Sequence, residues 1–138
     1  MNTLKHTLLS LLVLTLIVAS CSKTTEAPST RSILQQGKWK ISLYSDNGSN
    51  ETDFYSGYQF TFSSNGNVAV STGSNSQTGT WSPGTDETQN KLSLNFLSLA
   101  LVELNREWTF SEKSYSRVTL EHVSTGGGGT DVVVFEKL

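Results

Sequence analysis

Apolar residues in this chain alternate with polar ones in short segments, and clusters of Gly, Asn, Asp and Ser separate the segments. Tyr58, Phe60 and Phe62 are interleaved with Gln59, Thr61 and Ser63. Successive side chains of a β-strand point to opposite faces, so such a segment buries one face and wets the other. The pattern recurs at Trp39, Ile41 and Leu43, at Val68 and Val70, and around Trp81 in Thr78–Ser82. It recurs again at Leu92, Leu94 and Phe96, and at Trp108 and Phe110. Ser116, Val118, Leu120 and His122 share one face of a seventh segment, and Asp131 to Leu138 make the eighth. A chain patterned this way folds as an all-β domain.

The connections are short, which makes neighbouring strands antiparallel. Asp46–Asp53, Ser71–Gln77 and Gly126–Gly129 read as loops, and Asn65-Gly66 reads as a type I′ hairpin turn. Leu97 to Asn105 is the exception. The alternation breaks at Phe96-Leu97, and Leu97, Leu101 and Leu104 are then spaced like one face of a helix. A short helical segment across a barrel end is expected there, the alternative being a longer strand with a bulge. Eight antiparallel strands can close on themselves and remove both sheet edges. The expected fold is therefore a small eight-stranded antiparallel up-and-down barrel, with a two-sheet sandwich as the alternative.

On the first segment, Gly37-Lys38-Trp39 resembles the Gly-x-Trp signature of lipocalins. The fuller set resembles the small lipocalin-like domains of Bacteroidetes lipoproteins. It comprises Trp39, Tyr58-Gln59-Phe60-Thr61-Phe62 with Asn65-Gly66, Gly79-Thr80-Trp81, Trp108 and a final aromatic at Phe135. The resemblance spans residues 34–138. It implies a barrel that takes a small apolar or amphipathic molecule inside. Lipocalins often pack a late Arg on the signature Trp, and the last segment here offers Lys137.

The beginning of the chain reads as an address. Lys5 precedes Leu8 to Ala19, an uncharged apolar run, which is the signal-peptide pattern. A run of twelve residues is too short for a membrane span, which needs about 20. Val18-Ala19-Ser20-Cys21 resembles the lipobox of bacterial lipoproteins. That resemblance implies cleavage after Ser20 and lipidation of Cys21, the only cysteine. The expected organisation is a signal peptide at 1–20, a lipidated cysteine and tether at 21–33, and a barrel domain at 34–138. The expected location is the bacterial cell envelope, at the outer membrane, with the membrane as partner through Cys21. Several acyl chains make such an anchor durable.

The formal net charge is −2, and cleavage would remove Lys5 and no acid. There is no basic stripe of the kind that binds nucleic acid. The inward face is expected to hold Trp39, Tyr58, Phe60, Phe62, Trp81, Phe96, Trp108, Phe110 and Phe135. These nine are at once candidate core and candidate ligand pocket. Eight strands enclose a space just wide enough for side chains or one small ligand. His122 is the titratable group expected on the inward face, as a structural residue at a strand end. Arg106 and Arg117 are expected as surface partners of Glu107 and Glu121, and Asp86-Glu87 as solubilising loop charges. Gly126 to Gly129 lacks the Lys-Ser/Thr of a phosphate loop. No cofactor, metal site or catalytic set is expected, and the chain is expected to be a monomer. Two functions stay open: a lipid-anchored module binding a small apolar ligand in its barrel, or a packed barrel working through its surface. In the first, the pocket would open at the end bearing Leu97–Asn105.

Overall fold

The computed structural model describes residues 27–84 and 90–138. The expected signal peptide, Cys21, the first part of the tether, and Asp86-Glu87 lie outside the described residues.

The described chain begins with a one-turn helix, α1 (Thr30–Leu34). The Ser29 hydroxyl caps it by accepting a hydrogen bond from the Ser32 N–H at 3.1 Å. Ile33 and Leu34 are buried. The stretch read from sequence as tether thus includes residues of this helix, which supplies two core side chains.

Nine strands follow: β1 (Trp39–Asp46), β2 (Ser49–Asn50), β3 (Gln59–Phe62), β4 (Asn67–Thr72), β5 (Asn75–Pro83), β6 (Lys91–Asn95), β7 (Glu107–Lys113), β8 (Arg117–Val123) and β9 (Thr130–Lys137). Each of β3 to β8 pairs antiparallel with the next, and β9 returns to pair with β1, with Trp39 opposite Lys137 and Ile41 opposite Phe135. β1 meets β3 at Trp39–Phe60, which completes the circle. The two-residue β2 is a spur on β1, so the barrel is closed by eight strands, as expected. The β9–β1 pairing excludes the sandwich.

Three details depart from the sequence reading. The first is in β1, where the register shifts between Ile41 and Leu43. A bulge changes the phase of everything beyond it. Tyr44, not Leu43, is therefore buried. The second concerns turns. Asn47-Gly48 joins β1 to β2 with positive φ at both residues, 47° and 86°. That is the type I′ turn expected at Asn65-Gly66. There only Gly66 has positive φ, and its N–H reaches back to the Ser63 carbonyl at 3.2 Å. The third is Ser71–Gln77, where β4 and β5 run on to a two-residue turn at Gly73-Ser74. Polar side chains concealed strand residues whose ladder bonds are made by the backbone.

Between β1 and β3 lies a 3-10 helix, η1 (Thr52–Tyr55), in the stretch expected to be a loop. A second, η2 (Leu99–Leu104), joins β6 to β7 where a helical segment was expected. The core is one cluster inside the barrel, running from Ile33 to Phe135 in sequence. Gly79 belongs to it sterically: a Cβ there would sit 2.6 Å from Phe96 Cε1. The Phe96 ring occupies the space that a larger residue would fill.

Candidate functional site

Eight of the nine inward aromatics are buried, and Tyr58 packs half-buried against them. Their rings form an edge-to-face chain. Phe96 meets Phe60 at 6.4 Å between centroids, Phe60 meets Phe135 at 5.2 Å, Phe135 meets Phe62 at 6.0 Å, and Phe62 meets Trp81 at 5.5 Å. The residues come from β3, β5, β9 and the end of β6, so the chain of rings crosses the interior. Each such pair is worth about 0.5–1.5 kcal/mol beyond its buried area.

Both ends are stoppered. At one end the Trp39 indole N–H donates to the Leu34 carbonyl at 2.9 Å, which fastens α1 over the barrel. At the other, Leu101 and Leu104 of η2 are fully buried, and the Trp108 indole N–H donates to the Leu104 carbonyl at 3.0 Å. Leu97 is not on that buried face; it is 96 % exposed. It precedes η2, where helical spacing no longer applies. The end expected to open is thus closed by the segment expected to be its lid.

Near that closed end sits a polar cluster that the alternation did not single out. Asp131 is 1 % exposed and is ion-paired with Arg106. It also accepts the Asn47 backbone N–H at 3.0 Å. Arg106 reaches Glu103 as well, at 3.3 Å. The Asp46 carboxyl is held above its ordinary range, chiefly by a hydrogen bond to Asp131. Tyr44 has a buried hydroxyl with no partner among the described residues, and burial pushes it up to about 12. Tyr55 packs edge-on against Tyr44 at 5.0 Å, and burial raises its hydroxyl too. A signal for Asp131 was present in the sequence. Asp131, Val133 and Phe135 alternate, which puts the carboxylate on the inward face.

The expected arginine pairings are replaced. Arg106 holds Asp131 and Glu103, Arg117 holds Glu112 and Glu136, and Glu107 is paired with Lys91. Arg106 lies just before β7 and turns to Asp131, while Glu107 at the start of β7 turns to Lys91. His122 is only half-buried; its ring lies edge-on to Trp108, and Nδ1 is 3.0 Å from the Glu107 carbonyl.

The surface carries shallow clefts. One of about 340 Å³ is lined by Lys91, Glu107, Thr109, Glu121, His122 and Val123. Another of about 310 Å³ lies where β1 parts from η1, between Lys40, Ser42, Asp53 and Tyr55. Among the described residues no group of three His, Cys, Asp or Glu side chains is placed to hold a metal ion.

Comparison of the sequence with models of known protein families and with curated proteins gave no match. Among solved structures, the chain is similar to a DUF4847 family protein from Bacteroides vulgatus. The TM-score is 0.57 at 17 % identity, over 78 % of this chain and 96 % of that one. At this identity the likeness is one of fold.

Proposed function

We propose that this chain is a lipid-anchored lipoprotein of the bacterial cell envelope whose barrel is a packed module that works through its outer surface. The observation that carries this reading is the run of ring contacts from Phe96 to Trp81 between two stoppered ends. An eight-stranded barrel has room for side chains or for one small ligand. Here large side chains take that room, and an apolar guest would have to displace them. The lipid anchor rests on Val18-Ala19-Ser20-Cys21 and the apolar run before it. The barrel's likeness to a Bacteroides protein fits the lipocalin-like domains of Bacteroidetes lipoproteins at the level of fold.

Two measurements test the two halves. Metabolic labelling with a fatty acid is expected to mark the wild type and not Cys21→Ser; equal label on both removes the anchor. Native mass spectrometry of the chain purified from its own host is expected to show the covalently lipidated protein with no further mass bound. A co-purifying small apolar molecule, confirmed by quenching of tryptophan fluorescence on titration, restores the ligand-binding reading.

A further inference from the structure

We infer that the α1 end of the barrel is a docking surface for an anionic lipid bilayer. Three exposed cations gather there: Arg31 on α1, Lys38 just before β1, and Lys137 where β9 ends, with Lys113 of β7 bonding Thr30 of α1 beside them. None of the three forms an ion pair among the described residues, although the Arg31 guanidinium lies over the Trp81 ring at 5.3 Å. The described acids nearby, Glu112 and Glu136, are both held by Arg117. Asp86 and Glu87 lie outside the described residues.

The opposite end has the reverse sign. It carries Asp46, Glu51, Asp53 and Glu103, and its one described cation, Arg106, is taken up by Asp131 and Glu103. Among the described residues, the unpaired cations thus lie at the α1 end and most of the acids without an ion pair at the other. Charge complementarity selects an anionic partner for the α1 end.

Chain connectivity selects which anionic partner. This step rests on the proposed lipidation of Cys21. Seven residues lie between Cys21 and Ser29, the cap of α1, so eight Cα–Cα steps join the two. Even fully extended they span at most about 29 Å. The anchor thus enters the barrel at the basic end and keeps that end within this reach of the bilayer. Surface potentials act over about 8 Å at physiological salt, and each Lys or Arg brought that near strengthens attachment roughly fivefold. The barrel then stands on its basic end and presents its acidic end, with Leu97 and Leu99 exposed at 96 % and 89 %, away from the membrane.

The test separates docking from native lipidation. The core lies wholly within Ile33–Phe135, so the chain from Cys21 to Leu138 retains the barrel. Its single cysteine is coupled to a maleimide lipid in vesicles of phosphatidylcholine, alone or with about a third phosphatidylglycerol. Lysine acylation is then read by mass spectrometry. Lys38 and Lys137 are expected to react roughly fivefold more slowly on the anionic vesicles. The difference is expected to vanish at high salt. Carbodiimide labelling of Glu51 and Glu103 is expected to be the same on both. Equal lysine reactivity on the two vesicles overturns the proposal, as does protection of the glutamates instead. Because the coupling is chemical, absence of native fatty-acid label on Cys21 sinks the anchor without touching this result.

Discussion

The side-chain amide of Asn105 grips both backbone polar groups of Phe96, accepting from its N–H at 2.5 Å and donating to its carbonyl at 2.7 Å. Phe96 follows β6 and Asn105 follows η2, so the clamp closes the excursion that carries Leu101 and Leu104 into the barrel mouth. It also fixes the Phe96 ring over Gly79.

Removing that clamp should loosen one end of the barrel. Asn105→Ala leaves two backbone groups of a buried residue without partners, at about 1–3 kcal/mol for each group that water does not reach. A total loss of about 2 kcal/mol is expected, read as a lower urea midpoint. Asn105→Asp keeps an acceptor and loses the donor, so it should fall between wild type and Asn105→Ala. Coincident midpoints for all three would show that η2 is held by its leucines alone.

The Asp46–Asp131 contact predicts a pH dependence. Asp46 is raised above 3.8 in the folded state by its hydrogen bond to Asp131. A raised carboxyl holds its proton more tightly folded than unfolded. Its contribution to stability is therefore fully present below 3.8 and is lost as the pH rises through the folded value. Asp46→Asn imitates the protonated form at every pH. It should be more stable than wild type near neutrality, and the advantage should shrink toward zero as the pH falls to 3.8. A constant difference across that range would show that the contact is not titrating.

How much of this was legible depends on whether the relevant rule is local. The pleat is local, and it placed Phe60, Phe62, Val68, Val70, Leu92, Leu94, Trp108, Phe110, Val118 and Leu120 in the core, where all are buried. The bulge in β1 is not local. It answers to the register that β9 imposes on Ile41 and Leu43, and so Tyr44 was missed. The turn types were legible only as glycine positions, because Asn47-Gly48 and Asn65-Gly66 are the same dipeptide in different surroundings. The Arg106–Asp131 pair was out of reach for a related reason. The two residues are 25 apart and meet only after closure, although the inward phase of Asp131 could have flagged it. For function, the aromatic pattern specified an interior without specifying whether it was full. That answer lies in ring-to-ring distances, which no spacing in the chain encodes.

Trp39 offers the sharpest check on the closed barrel. It is fully buried, stands across from Lys137 on the closing strand, and bonds the Leu34 carbonyl of α1. Two effects can be separated by two substitutions. Trp39→Ala removes ring and bond together and should cost about 3–5 kcal/mol, as for other buried aromatics. Trp39→Phe keeps most of the apolar volume but leaves the Leu34 carbonyl unpaired, a loss of about 1–3 kcal/mol. Trp81 and Trp108 remain as fluorescence reporters of unfolding. The phenylalanine variant should also free α1, so trypsin should cut after the exposed Arg31 faster than in wild type. If both variants share one midpoint, the indole bond carries the whole effect and the ring none. If neither moves the midpoint, Trp39 does not seal this end of the barrel, and the interior is open where it has been described as closed.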